Sequence, residues 1–277
     1  MDRRIRKLEG IPVLKLPPRY LPGAVAALHQ NAFDRDGFRD AIMQLFPPGR
    51  GEKSVFRGMV VPTLRALGLL IGFEREIALS SNGVVVYLGL ERRPEDKGPL
   101  AVVLAELERA RGLDEVWPVG PLSSKRAQEL LEQAEREMPG KVGDVGMRVR
   151  SWIAHLEFAG VVVRTRDGQL IRVGLRPRAI ASSKFRDALV DSYRRLTPRV
   201  VGEALVTIED LRCMLAEIAY RETGAVVTQE RFDRMLAHLV NNRRLDIRLH
   251  RAMGADQGLF IRQGIPYRSL SLGDVHG

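Results

Sequence analysis

Apolar and polar positions along this chain repeat one order of signals three times. Each pass has segments of helical periodicity, then a helix that stops at a glycine or a polar residue, then β-branched alternation around a turn. In the first pass, Phe38–Phe46 and Ser54–Leu67 are predicted to be helices, and Pro62 is expected to kink or divide the second. The repeated order predicts an α+β fold, mainly α, made of three similar units in tandem.

Two hairpins follow from the β-branched runs. In the first pass, Phe73–Leu79 and Val84–Leu88 are predicted to pair across Ser81-Asn82-Gly83, because Asn-Gly is the strongest short-range hairpin signal. In the second pass, Val161–Val173 is predicted to be a hairpin that turns at Asp167-Gly168. Each hairpin would close its unit with a short two-stranded wing.

The second and third passes also carry helices with clear apolar faces. In the second pass, Asp144 is placed as an N-cap, and the helix after it has a buried stripe at helical spacing around Trp152. The predicted helices of these two passes are Leu100–Ala110, Ser124–Met138, Asp144–Ala159, Lys184–Leu196, Thr207–Arg221 and Thr228–Leu239. The third pass ends in predicted strands over Leu245–Leu249 and Leu259–Ile261, with a turn at Gly254–Gly258.

Prolines and charged residues divide the chain. Residues 1–20 are predicted to be an extended basic arm, because the prolines at 12, 17 and 18 exclude a helix interior. Residues 91–99 are charged and contain two prolines, which marks a boundary. We call residues 21–93, 99–178 and 179–277 the first, second and third unit.

Composition excludes several classes of protein. The chain has 277 residues, of which 45% are hydrophobic and 28% charged, as in a globular protein. No apolar run approaches the roughly 18 residues of a membrane span, and the basic start lacks the apolar core of a signal peptide. Cys213 is the one cysteine, which excludes a disulfide framework and a cysteine-based metal site. We expect a soluble cytoplasmic protein.

Charge adds a preference for a polyanionic partner. Lys and Arg together number 44 against 34 for Asp and Glu, a net charge of +10, and only seven of the 44 are Lys. A GC-rich or thermophilic genome would explain the Arg-to-Lys ratio but not the net excess. The excess is spread over residues 1–98, 99–178 and 179–277 as +5, +2 and +3, which favours several modules that each contact a polyanion.

Two segments resemble the winged-helix DNA-binding family. In residues 64–70 and 153–162, a predicted third helix runs through leucine into glycine and then toward the predicted wing strand. This resembles the passage from the third helix into the wing of winged-helix domains. The third unit departs, with Asn241-Asn242-Arg243-Arg244-Leu245 in place of the glycine, although asparagine also tolerates the left-handed conformation. Tandem winged helices are also similar to the recognition halves of some restriction enzymes and to small subunits of chromosome-organising complexes.

The resemblance implies that the third helix of each unit enters the major groove and that the wing contacts the backbone or the minor groove. Arg and Asn pair bidentately with guanine and adenine edges. In the second unit we expect Arg148 and Ser151 to face base edges, and Arg164 and Arg166 to meet phosphates. The candidate DNA-binding residues, taken as the outward positions, are Arg57, Arg65, Arg148, Ser151, His155, Arg164, Arg166, Arg172, Arg231, Arg234, His238, Asn241, Asn242, Arg248 and Arg251.

No catalytic, cofactor or metal constellation is found in the sequence. Walker-type and dinucleotide-binding loops are missing, and the five histidines are scattered. Glu95 and Lys97 have the E-x-K spacing of metal-dependent nucleases, but they lie between prolines in the expected linker.

The sequence therefore favours sequence- or structure-directed binding of duplex DNA, by a regulator or by the DNA-reading subunit of a larger restriction, defence or mobile-element complex. A protein–protein adaptor of a chromosome-organising or defence complex is the alternative, and a nuclease with an unrecognised site is the second. A homo-oligomer is compatible with each.

Overall fold

The computed structural model describes residues 10–73, 76–117, 120–137, 144–173, 175, 180–198, 204–242, 245–252 and 259–273. The fold is α+β and mainly helical, with small antiparallel sheets, as the periodicity predicted. None of the helices in these residues is long and apolar enough to cross a membrane.

The first unit begins with four helical segments and a hairpin. A 3-10 turn at Pro18–Tyr20 leads into α1 (Leu21–Gln30), α2 (Arg35–Gln44), a π-helix (Lys53–Val60), α3 (Val61–Ala66), β1 (Leu70–Phe73) and β2 (Glu76–Leu79). The predicted helix over 54–67 is divided at Val60/Val61, because Pro62 stands within the first turn of α3, where its missing N–H costs no hydrogen bond. α1 was not predicted.

The hairpin predicted around Asn82-Gly83 is wrong. β1 pairs with β2 in the register Leu70↔Leu79, and Ser81–Arg92 forms a helix, α4. Ser80 caps this helix: its Oγ accepts a hydrogen bond from the Gly83 N–H at 3.1 Å and donates to the Gly68 carbonyl at 2.6 Å. Tertiary packing overrides the β-branched run here, because half of the residues of α4, including Val85 and Val86, are buried between other elements.

The second and third units share one order of elements. The second contains α5 (Gly98–Ala110), β3 (Leu122–Ser123), α6 (Ser124–Arg136), α7 (Val145–Ala159), β4 (Val162–Arg164) and β5 (Gln169–Arg172). The third contains α8 (Ser182–Leu196), β6 (Val206–Thr207), α9 (Ile208–Thr223), α10 (Gln229–Asn241), β7 (Ile247–Arg251), β8 (Phe260–Arg262) and β9 (Ile265–Leu272).

Their sheets also have the same strand order. The strands run β3-β5-β4 in the second unit and β6-β9-β7 in the third, all antiparallel, with β8 added beside β9. In each unit the first short strand joins the edge of a hairpin that follows the third helix. The first unit has only a two-stranded sheet among its described residues.

Within the part of the chain that the structure describes, buried side chains form two clusters rather than three. The first cluster runs from Ile11 to Leu170 through the first and second units, and it includes Ala216, Tyr220 and Val226 of the third. The second cluster lies within the third unit, between its helices and its sheet. The first two units therefore share one apolar core, and the third packs on it through α9, mainly against α4.

Candidate nucleic-acid interface

The N-terminal segment lies across α7. Residues 10–16, which we call the strap, are extended, and Ile11, Leu14 and Leu16 are buried in the shared core. Side chains bind the strap's backbone: Ser151 Oγ donates to the Leu14 carbonyl at 2.6 Å, and the Ile11 N–H donates to Glu135 Oε2 at 2.7 Å. Residues 10–16 are thus core structure and not a free arm, while residues 1–9 lie outside the described residues.

The outward placement predicted for the α7 residues is wrong. Arg148 is only 6% exposed, and its NH1 lies 2.6 Å from Glu135 Oε1. His155 is 1% exposed, its Nδ1 lies 2.7 Å from the Ser151 carbonyl, and burial lowers its pKa, so that the ring is neutral at neutral pH. Ser151 is half-buried under the strap. The helical period identifies the side away from the unit's own core, but it does not show that another segment covers that side.

The hairpin of the second unit presents its arginines unequally. Arg164 is exposed and forms an ion pair with Glu157 at 2.8 Å, and Arg166 is exposed beside the turn. Arg172 instead extends inward to Glu108, with NH2 and Oε2 2.5 Å apart. The outward placement predicted for Arg172 is therefore wrong, because its side chain pairs with a buried acidic residue.

Glu108 makes the stability of the protein depend on pH. Burial raises its pKa from 4.5 to about 7, and Arg172 opposes the rise. Because the folded chain holds this proton more tightly than the unfolded chain, the stability that Glu108 contributes is complete below its unfolded pKa and is lost as the pH rises through about 7. Each pKa unit corresponds to about 1.4 kcal/mol.

We expect Glu108→Gln to reduce the loss of stability between about pH 5 and about pH 8. Urea unfolding at both pH values measures it. The matched control is Glu129→Gln on α6, where the carboxylate is half exposed and bound to Arg126. A variant whose stability falls with pH as steeply as that of the wild-type chain would contradict this prediction.

The first unit places two candidate residues at the surface. Arg65 is exposed at the end of α3 and donates to the Gly72 carbonyl at 3.0 Å. Arg57 is exposed on the π-helix and lines a cavity of about 650 Å³. Three arginines and three carboxylates line this cavity: Asp34, Arg35, Asp36, Arg39, Glu52 and Arg57. Their charges balance, so this surface does not favour a polyanion.

The third helix of the third unit differs from α7 in being open on one side. Thr228 caps α10 through the Arg231 N–H at 3.4 Å, and Phe232, Leu236 and Leu239 bury the opposite side in the unit's own cluster. The exposed residues are polar and recur at helical spacing: Arg234, His238, Asn241 and Asn242. This is the outward face that the sequence predicted.

Neighbours on the same surface hold these side chains in place. Arg234 NH2 lies 2.9 Å from Glu230 Oε1, and the Asn242 amide lies 2.9 Å from the His238 ring. Such exposed contacts are weak and can be exchanged for contacts with a ligand. Arg231 is different: its Nε lies 3.3 Å from the buried Glu106, and its NH1 donates to the Val226 carbonyl. The outward placement predicted for Arg231 is therefore wrong.

A basic hairpin borders this face. Arg248 and Arg251 on β7 are exposed, as predicted, and Arg248 lies 3.3 Å from Asp246. Arg262 NH2 donates to Asn241 Oδ1 at 2.7 Å and so joins β8 to the end of α10. Sequence reasoning missed Arg262 and the exposed Arg268, because it did not recognise the turn between β8 and β9.

Charge is concentrated in the same part of the chain. Residues 229–273 contain eight arginines, no lysine and four acidic residues. α10 itself carries two arginines and two acidic residues, and the part of the third unit before it is not basic, so the positive excess of the unit comes from the residues that follow α10. Arg243, Arg244 and Asp256 lie outside the described residues.

Buried polar contacts fix the start of α10 against the other units. The Gln229 N–H donates to Asn82 Oδ1 at 2.9 Å, and Thr228 Oγ1 donates to Glu106 on α5. Arg212 of α9 is fully buried and binds Asp233 through two nitrogens. The exposed face of α10 is therefore held at a defined orientation on the whole molecule.

The remaining residues considered for catalysis or metal binding lie away from this face of α10. Glu95 is exposed in the turn between α4 and α5, and Lys97 Nζ lies 3.8 Å from the centre of the Phe158 ring. Burial raises the pKa of the Cys213 thiol well above its ordinary value, so the thiol is protonated at neutral pH. Among the described residues, no three His, Cys, Asp or Glu side chains are grouped to hold a metal ion.

Comparisons with known proteins add no relative. No model of a protein family matches the chain, and neither a curated protein nor a solved structure is significantly similar to it.

Proposed function

We propose that the chain belongs to the class of proteins built from tandem winged-helix units. The support is the order of elements that the second and third units share: helix, short strand, helix, helix, hairpin, with the first strand paired to the last. Within this class, we propose that the protein binds duplex DNA, and that the third unit makes the sequence-reading contacts.

One observation carries this proposal: the third helix is open in the third unit and covered in the second. Arg234, His238 and Asn241 form an exposed stripe on α10. The equivalent side of α7 is sealed by the strap, with Arg148 and His155 buried. A helix enters the major groove only with a free face of its own, so α10 is the candidate reader.

The chemistry of the open face suits base edges and phosphates. Arg234 can donate two hydrogen bonds to guanine, and an asparagine such as Asn242 can pair with adenine. Arg248, Arg251 and Arg268 on the bordering hairpin are placed to meet phosphates, which position the protein without reading sequence. The local excess of arginine supplies the counterion release that drives such binding.

A salt-dependent mobility shift tests the division between helix and hairpin. We expect Arg234→Ala with Asn242→Ala to cost about 1–3 kcal/mol per lost base contact on a selected site and little on random duplex DNA. Arg248→Ala with Arg251→Ala should weaken binding to all sequences alike and lower the salt slope by about one per lost contact.

The matched control is Arg195→Ala. Arg195 is an exposed arginine on α8 of the same unit and is paired with Asp191. The Arg195→Ala substitution removes the same charge without changing α10. Its effect on binding to selected and to random DNA should therefore be small and equal. No binding at low salt, or a flat salt response, would defeat the DNA proposal.

The adaptor alternative has one observation in its favour. Val163 and Ile171 are cross-strand partners in the second hairpin, and both are partly exposed, as is Val173. An exposed apolar face suits a protein partner. Whether the chain is a regulator or the DNA-reading subunit of a larger complex depends on such a partner. If the mobility shift fails, the adaptor becomes the better proposal.

A further inference from the structure

The first unit carries an exposed phenylalanine in a strained backbone conformation. Phe33 has φ of 65°, in the left-handed region that glycine and asparagine usually occupy, and the residue is 70% exposed. Its N–H donates to the Ile77 carbonyl at 2.9 Å, which holds the turn between α1 and α2. Its ring has no aromatic partner among the described residues. Such strain costs stability and is concentrated at active sites and binding sites.

Phe33 lines the same cavity as Arg57. The turn between α1 and α2 and the start of α2 form one side of this cavity, and the π-helix contributes the buried Phe56 and the exposed Arg57 to the other. The Arg35 guanidinium lies 5.9 Å from the centre of the Phe56 ring. π-helices are rare and are frequent at functional sites. The volume of about 650 Å³ lies in the range of small-molecule sites.

The charges in this cavity balance as a set, but they are not all paired within it. Asp34 caps α2 through the Gly37 N–H, and Asp36 pairs with an arginine of the same helix at 2.9 Å. The other charged residues of the cavity are Arg35, Glu52 and Arg57. In the described part of the chain, their side chains form no hydrogen bond or ion pair. The cavity therefore offers two arginines to one anionic group and one carboxylate to hydrogen-bond donors.

We infer that this cavity binds a guanine nucleotide. Arg35 and Arg57 hold the phosphate, because a guanidinium binds phosphate through two parallel hydrogen bonds. The Phe33 ring stacks on the base, which gives the exposed and strained aromatic residue a partner. Glu52 accepts hydrogen bonds from the base, since guanine presents its ring N–H and its amino group side by side, which suits one carboxylate.

This ligand agrees with the balanced charge of the surface. Two unpaired arginines suit a single phosphate rather than a polyanion, and no covalent step is involved. A free nucleotide and the phosphorylated end of a single strand share this chemistry. The site does not rest on the proposed contacts with duplex DNA, which lie in the third unit.

Calorimetric titration of the full chain with guanosine monophosphate tests the inference. We expect one site per chain, with binding about tenfold or more tighter than that of guanosine, which lacks the phosphate, or of inosine monophosphate, which lacks the amino group. A single strand that begins with a phosphorylated guanosine is titrated in the same way, to separate the two sources of the ligand.

Substitutions in the cavity should have distinct effects. Arg57→Ala should weaken binding of guanosine monophosphate about tenfold or more. Glu52→Gln should reduce the preference over inosine monophosphate. Phe33→Gly should weaken binding about tenfold by removing the stacked ring, yet it should not lower the melting temperature, because glycine adopts a left-handed φ without strain. Arg126→Ala, at an exposed arginine of α6, is the matched control and should leave the Kd unchanged.

Each outcome decides the inference without bearing on the proposed function. If neither guanosine monophosphate nor the single strand binds at millimolar concentration, the inference is wrong. It is also wrong if Arg57→Ala and Phe33→Gly leave binding unchanged, because the nucleotide then lies elsewhere. If the single strand binds more tightly than the nucleotide and both variants weaken it, the site stands and its ligand is a strand end; otherwise the free nucleotide is the ligand.

Discussion

Replacing Arg212 with alanine is expected to lower the free energy of unfolding by about 3–5 kcal/mol, because breaking a buried ion pair leaves its partners uncompensated. Arg212 is fully buried, and its guanidinium binds Asp233 at 2.6 and 2.8 Å through NH2 and Glu209 at 2.9 Å through NH1. Glu209 in turn accepts from the Ser81 N–H of α4 at 3.3 Å. The substitution therefore weakens α9, α10 and their contact with the first unit together.

The loss of stability caused by Arg212→Ala should be smaller at low pH than at high pH. Burial raises the pKa of Asp233 to about 6, and Arg212 opposes the rise. Without Arg212 that pKa rises further, and a carboxyl whose folded pKa is raised loses stability as the pH increases through it. Arg212→Ala should thus be less destabilised at about pH 5, where Asp233 can be protonated, than at about pH 8.

Denaturant unfolding at both pH values, followed by circular dichroism and by tryptophan fluorescence, measures this effect. Both tryptophans, Trp117 and Trp152, lie in the second unit. Arg234→Ala is the matched control, since it removes an exposed arginine that pairs with Glu230 on α10, and it should cost less than about 1 kcal/mol. Equal stabilities of the two variants would show that the Arg212 network does not hold α10.

Local signals predicted most of the elements in the second and third units. The stripe of α7, its Asp144 cap and the left-handed Gly160 at its end, with φ of 78°, are all encoded within one stretch of chain. The capped helix α9 and the amphipathic α10 follow the same rule. In these places periodicity, capping and turn residues agree, so the helices could be predicted to within a few residues.

The predictions from sequence fail where contacts between distant parts of the chain determine the local structure. Val84–Val86 favour a strand by propensity, yet they form a helix because α4 is buried against α1, α5 and α9, where no alternation is needed. The strands β3 and β6 have two residues each, too few for any pattern. The strap covers α7 through contacts more than a hundred residues apart in sequence, such as that of the Leu14 carbonyl with Ser151.

The candidate interface residues also divide into those that local pattern predicts and those that long-range contacts place. The exposed stripe of α10 could be predicted from its period, because nothing else in the described chain covers it. Arg148, His155 and Arg231 could not be excluded, since the acidic partners that bury two of them and the strap that covers the third come from other elements. Arginine type alone does not separate a residue that meets a ligand from one that pairs with a buried carboxylate.

Trp152→Ala is expected to cost about 3–5 kcal/mol of stability, the usual loss when a large aromatic residue is removed from a core. Trp152 is fully buried in the cluster that the first and second units share, on the stripe with Val149, Ile153 and Leu156. The cavity cannot collapse easily, because α7 is held between α5, α6 and the strap. Thermal unfolding measures the loss, and Met147→Ala on the same helix, at a half-exposed position, is the control.

The location of Trp152 also predicts which part of the molecule unfolds first in the Trp152→Ala variant. The third unit has an apolar cluster of its own, so Trp152→Ala should unfold the first and second units at a lower temperature than the third. Hydrogen exchange would then show the amides of α7 losing protection while those of α10 keep most of theirs. Uniform loss along the chain would mean that the contacts of α4 with α9 make all three units one cooperative body. An unchanged melting temperature would contradict the assigned packing of α7, and with it the proposal that the strap keeps this helix from contacting DNA.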